Sequence, residues 1–253
     1  MTSMKIYGVP FSQPVRSVIW LLLLKEQPFQ LVPTNPGSKG ENGSRHPSYL
    51  AKNPSGTIPC LEDCDTGYTL GEGHAIMAYL SQKQGWNDMY PDDLRARGKV
   101  DWYLNFHHRN IRDASGMVAP KIRKDLDIPE LVQESAKRKF TLGLKTLDEF
   151  QLARGRFIAA DHLTIADLSA YGEIGQLQPQ FTNLFEFKSF PNVQRWLADM
   201  QNVRFHDEAH LVLSKLGDIS QEAPSMDTIR SANIKSISVL ANTVKTFSKA
   251  LSE

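Results

Sequence analysis

Three short stretches hold groups that could do chemistry on a small ligand. Ser12 lies in Val9-Pro10-Phe11-Ser12-Gln13-Pro14, a loop between a short strand and a helix. Pro14 suits a first helical position, where its missing N–H costs nothing. A serine hydroxyl at such a place can cap the helix, or it can donate to an anion that the helix dipole also favours. The second stretch, Asn53 to Leu61, carries Pro59 inside a β-run. Proline cannot donate to a sheet ladder, which argues against an ordinary central strand. A cis Ile58–Pro59 bond would turn the Ile58 N–H and C=O outward, free to pair with an extended ligand. The third stretch, Glu72-Gly73, opens a helix. An acid is favoured there by the dipole whatever else it binds, and backbone N–H groups at a helix start can hold a carboxylate.

Bulk properties narrow the class. The 253 residues, 41% apolar and 23% charged, describe a globular chain long enough for two modest domains. A net charge of +1 gives no reason to expect a nucleic-acid or anionic-membrane partner. Two cysteines, Cys60 and Cys64, cannot form a secreted disulfide framework, so a reducing compartment is expected. The longest apolar run, Val18 to Leu24, is too short to span a bilayer, and Met1 to Lys5 lacks the basic start and apolar core of a signal peptide. These features make a cytoplasmic enzyme the default. His107 and His108 are adjacent on a helix and do not converge on one ion, so no metal is expected.

The elements that must position these groups follow in order. Strands are expected at 4–8, 29–32, 58–61 and 68–70, with helices at 14–26, near 48–52, and at 72–84. Residues 85–93 read as a linker, and helices follow at roughly 94–118, 129–153, 164–178, 190–201 and 204–216. Thr164-Ile165-Ala166-Asp167 has the spacing of a capping box. After a polar stretch, Ile234, Ile237, Leu240, Val244, Phe247 and Leu251 recur at helical spacing, an amphipathic stripe that either closes a pocket or packs outside the bundle. The fold class is therefore an α/β thioredoxin-like N-terminal domain (βαβαββα) followed by an all-α helical bundle. Its divisions are 1–84, the linker 85–93, the bundle 94–217 and an extension 218–253.

Taken together, Ser12-Gln13-Pro14-Val15-Arg16, Asn53-Pro54…Ile58-Pro59, Leu70 to Ile76, Tyr90-Pro91-Asp92, Val100 to Leu104, Leu163 to Leu168 and Pro191…Trp196 resemble the cytosolic glutathione transferases over about residues 4–216. Ser-x-Pro-x-Arg and Glu208-Ala209-His210 are similar to the serine-type, theta-like members. The resemblance implies a homodimer that holds glutathione as co-substrate and keeps its sulfur as thiolate for attack on an electrophilic small molecule or a peroxide, in detoxification.

Ser12 would be the catalytic hydroxyl. A free thiol of pKa ~8.5 is only a few per cent ionised near pH 7, and one good hydrogen bond to the charged form lowers that pKa by about one to two units. Tyr7 is the rival donor, and Val9 stands where the cysteine-type members have their nucleophile. Glutathione would be held by Arg45, Thr57, Ile58, Pro59, Glu72 and Gly73. Three positions depart from the family's pattern: Gly73 replaces its usual serine, Ser44, beside Arg45, replaces its usual histidine, and Thr57 stands where many members have lysine or glutamine. Asp101 could contact the partner subunit or be a solvated helix acid. Arg16 is expected to support the fold and the dimer edge. Phe11, His107, His108, Arg112 and Met117 could line the second-substrate pocket. Two alternatives stay open: a non-catalytic carrier of the same fold, and a thiol-disulfide oxidoreductase using Cys60.

Overall fold

The structure, a computed structural model, describes residues 4–123 and 126–250, with side chains to 247. Strand β1 (Met4–Gly8) alternates buried and half-buried residues, the period-two pattern of a strand covered on one face. It pairs in parallel with β2 (Gln30–Pro33) and antiparallel with β3 (Cys60–Asp63), which pairs antiparallel with β4 (Thr69–Gly71). The sheet order is β2-β1-β3-β4. Helices α1 (Gln13–Leu24), α2 (Pro47–Leu50) and α3 (Gly73–Lys83) complete the expected βαβαββα order. The third strand begins after Pro59, so Ile58 and Pro59 lie on the approach to the ladder. The proline's lack of an N–H accounts for this start.

Nine consecutive residues of α1, Val15 to Leu23, are buried. A helix apolar all round needs cover on every side. The sheet and α3 cover one side, and α7 (Ile165–Ile174) and α9 (His206–Leu216) of the second domain cover the other. The remaining helices are α4 (Leu94–Phe106), α5 (Ser115–Ile122), α6 (Glu130–Thr146), α8 (Pro191–Gln201) and α10 (Met226–Ala250). Two of the long helices expected from the sequence are interrupted. A π-turn, His107–Ile111, follows α4, and another, Leu147–Gln151, follows α6.

The capping box at Thr164 is present. Asp167 does more than cap. Its carboxylate accepts from Thr164 N (3.0 Å), Thr164 Oγ1 (3.1 Å), Ile158 N (2.9 Å) and Trp196 Nε1 (3.1 Å), all buried. Burial pushes its carboxyl up to about 6, against these donors, which pull it down.

Helix α10 packs on α9 and reaches β2, with Leu240, Val244 and Phe247 buried. Ile234, the first residue of the expected stripe, is 60% exposed, so the buried face is rotated toward Ala232 and Ser236. Leu251 lies outside the described residues.

Under α9, His210 is buried against Trp20 and Tyr171 with neither ring nitrogen hydrogen-bonded. Burial first, then Arg16 and His206, holds its pKa well below the ordinary 6.5. A depressed base contributes stability above its unfolded pKa and loses it as pH falls. His107 and His74 are shifted the same way. Tm should therefore fall as pH drops below about 6.5. His210→Leu should raise stability at pH 7 by about 1–3 kcal/mol and flatten that acid slope in thermal melts from pH 5 to 8.

Candidate active site

The turn Asn53 to Gly56 is built by Asn53. Its Oδ1 accepts from Ser55 N (3.3 Å), and its Nδ2 donates to the Thr57 carbonyl (2.8 Å). Gly56 has φ +63°, and the Arg45 side chain lies directly over it, so a side chain at 56 has neither the backbone conformation nor the space. The Ile58–Pro59 bond is cis. Ile58 makes no backbone hydrogen bond, which leaves its N–H and C=O available.

Glu72 caps the start of α3 with φ 65°, a left-handed conformation that is uncommon for a side-chain-bearing residue. Such strain concentrates at binding sites. Gly73 follows, buried against α1. A Cβ there would lie 3.0 Å from Pro14 Cβ and 3.3 Å from the Pro14 carbonyl oxygen. A serine here would need Pro14 or the start of α3 to give by a few tenths of an ångström. Gly73→Ala should destabilise the protein by about 1–3 kcal/mol, read as a lowered Tm. Ser44 is also withdrawn from any ligand. It is fully buried, and its Oγ accepts from Gly37 N at 2.9 Å.

Thr57, Ile58, Glu72 and Gly73 line one cavity of about 220 Å³, together with Gln13, Pro14 and Ser17 of α1. Its far wall comes from the second domain: His107, His108, Arg112, Ser169 and Glu173. In an α-helix, neighbours 107 and 108 would diverge. The π-turn brings both to the cavity, with ring centroids 5.9 Å apart, and each also meets His74 at 4.8 and 4.6 Å. π-turns recur at functional sites for this reason. His74, the second residue of α3, was not foreseen as a site residue; its place beside Glu72 and Gly73 at the start of that helix was the available signal. Its pKa is pushed down to about 3 by burial first and then by His108 and Arg112, against a pull upward from the Leu104 carbonyl. Arg112 pairs with Glu173, whose carboxyl burial raises and Arg112 pulls back down. Among the described residues, no group of three or more His, Cys, Asp or Glu side chains is placed to hold a metal ion.

The other expected residues, Ser12, Arg45, Pro59, Asp101, Phe11 and Met117, are not in the wall of this cavity. Ser12 stands at the N-cap of α1, half-buried, and its side chain makes no capping bond. Its N–H bonds Val9 O at 3.0 Å, so the loop is closed by backbone and the hydroxyl is left free. Arg45 is on the turn leading to Thr57. Phe11 packs instead with Phe181, Val212, Leu213 and Ala232, and Met117 lies against the main core. Asp101 accepts from Tyr90 OH at 2.8 Å. Tyr7 is occupied: its hydroxyl donates to Glu62, and burial raises its pKa. Cys60 is fully buried with its thiol pushed up to about 11 by burial, which opposes any thiolate chemistry there.

Arg16 is fully buried and, as a residue expected to support the fold, contacts backbone carbonyls. Its guanidinium donates to the carbonyls of Phe11 (2.6 Å), Pro10 (3.3 Å) and Gly172 (2.9 Å), fastening the Ser12 loop to α7. Burial pushes its pKa down to about 10, so it stays charged at neutral pH.

Residues 6–88 match the family described as glutathione S-transferase, N-terminal domain. Rat glutathione S-transferase theta-2 is 32% identical over 87% of this chain and 91% of its own length. The chain belongs to the glutathione S-transferase family. Glutathione S-transferase T2 of Arabidopsis thaliana is 31% identical over 89% of this chain, which spans only 39% of that longer relative. A crystal structure of human glutathione transferase theta-2 in complex with glutathione and an unknown ligand superposes with a TM-score of 0.74 at 25% identity, covering 93% of this chain and 98% of that one. The family and its theta-like character agree with the segments singled out in the sequence.

Proposed function

We propose that this glutathione S-transferase family member binds glutathione in the cavity between its domains, activates it as thiolate through Ser12, and transfers it to electrophilic small molecules or uses it to reduce peroxides. The observation that carries the reading is Ile58. Beside the cis proline its backbone N–H and C=O are free, and the residue lines the cavity that Glu72 and Gly73 share. An extended peptide amide needs such a donor–acceptor pair. The α3 N-terminus beyond it suits the γ-glutamyl carboxylate, and Glu72 its ammonium. Arg45, over the turn before Thr57, suits the glycyl carboxylate.

A homodimer accords with Leu94, Trp102 and Leu142, large apolar side chains left exposed on α4 and α6. Asp101 lies on that same α4 and would face the partner. A cytoplasmic setting accords with two free cysteines. Among the described residues, no helix is long and apolar enough to cross a membrane.

The second reading is a binding or carrier protein that does not turn over. It is favoured by Gly73 and Ser44, neither of which offers a hydroxyl to the ligand. Calorimetric titration with glutathione, paired with conjugation of a generic aryl halide, separates the two. Turnover establishes the transferase, and tight binding without turnover establishes the carrier.

A further inference from the structure

The chain's last long helix takes part in the catalytic loop without lining the cavity. Asn233 is on α10 (Met226–Ala250), 222 residues from Phe11, and its Oδ1 accepts the Phe11 N–H at 3.0 Å. The amide's orientation is fixed from the other side, because Asn233 Nδ2 donates to Ile229 O at 2.9 Å within the same helix. The carbonyl of Phe11 is held in turn by the Arg16 guanidinium at 2.6 Å. Both polar groups of Phe11 are therefore fixed by side chains from outside the loop, and the Phe11 ring packs against α9 and α10 through Leu213 and Ala232. The next residue is Ser12.

From this geometry we infer that Asn233 is a positioning residue for Ser12: α10 sets the direction of the Ser12 hydroxyl through the Phe11 peptide. The inference rests on the reading of Ser12 as the thiolate donor. Without Asn233 the Phe11 N–H has no protein partner, and the Pro10–Phe11 peptide is free to tilt, leaving Ser12 held only from its own side, by Arg16 on the Phe11 carbonyl and by the Ser12 N–H bond to Val9 O. A hydroxyl that wanders gives a weaker hydrogen bond to the glutathione sulfur. The γ-glutamyl and glycyl ends are held elsewhere, by α3 and the cis-proline turn, so glutathione affinity should change little.

The test compares Asn233→Ala, Val244→Ala and Ser12→Ala in the full chain. Val244 is buried on the same helix, eleven residues and about three turns beyond Asn233, so its truncation loosens α10 without removing the acceptor. The bound glutathione thiolate is titrated by its ultraviolet absorbance, alongside kcat and KM for glutathione with an aryl halide. Asn233→Ala is expected to raise the bound thiol's apparent pKa by about 0.5–1 unit and to lower kcat about 3–10-fold at neutral pH, with KM for glutathione within about 2-fold of wild type. Val244→Ala should lower Tm and leave that pKa unchanged. The inference is overturned if Asn233→Ala leaves the thiol pKa at its wild-type value while Ser12→Ala raises it, or if Val244→Ala shifts it equally. A Ser12→Ala protein that titrates like wild type would instead refute the Ser12 reading itself.

Discussion

Ser12→Ala is expected to lower kcat/KM for glutathione conjugation by about 10–100-fold at pH 6.5–7 while leaving the glutathione Kd nearly unchanged. The free hydroxyl at the N-cap of α1 makes no competing hydrogen bond, so its full donor strength is available to a sulfur anion. Its loss should let the bound thiol return toward ~8.5, a rise of about one to two units. The sign of the pH dependence follows. The variant's rate should climb with pH through about 8 to 9, where thiolate forms unaided, and the deficit against wild type should shrink there. A pH–rate profile on a generic aryl halide measures this. Equal wild-type and variant rates at pH 6.5 would remove Ser12 from the mechanism. The neighbouring dipole of α1 keeps part of the effect in the variant, which is why the loss is put at two decades at most.

Asp167→Ala should be the most damaging single change for stability, costing about 3–4 kcal/mol in urea unfolding at pH 7. Read as a cap alone, the residue would be worth about 1 kcal/mol. The larger figure comes from the donors it would strand. Ile158 N, Thr164 N and Trp196 Nε1 would all be left buried beside a cavity, and Trp196 is a fully buried core residue. Each orphaned donor costs about 1–3 kcal/mol, partly relieved if water enters. Thr164→Ala, which removes the cap bond to Ala166 N and one of the four donors to Asp167, should cost no more than about 1–2 kcal/mol. Similar losses for the two variants would show that Asp167 acts only as a cap.

Much of the fold was legible because it is governed by local rules. Pro14 and the apolar run behind it specify a buried helix, Pro59 marks a strand that begins late, and Thr164 with Asp167 signals a cap. That Thr57, Ile58, Glu72 and Gly73 come together at one cavity was legible for the same reason, since each sits at a turn or helix start with its own backbone logic. What escaped depends on partners far away in sequence. His74 gains its surroundings from rings in the π-turn after α4, a domain apart. Arg16 reads as a support for the fold, but its partner Gly172, 156 residues away, leaves no mark near it in the sequence. The π-turn at His107 leaves no mark in residue type, and without it the two adjacent histidines would point to different surroundings. The side of α10 that faces inward could not be chosen either: Ile234 fits the apolar spacing, yet the helix is turned by its need to seat Asn233 and Ala232 against the Phe11 loop.

Helix α1 sits in the sequence of the first domain, but its polar side chains also bind the second. Ser17 donates to Leu168 O at 3.0 Å, Trp20 Nε1 to Arg204 O at 2.9 Å, and Arg16 to Gly172 O. With its apolar surface also shared, the junction between the domains is a core rather than a seam. Neither half can swing open as a hinged jaw, because doing so would expose a helix that has no solvent-facing side. Ligands must therefore enter past loops and side chains at the rim of a rigid cleft, and the two halves must acquire their order together.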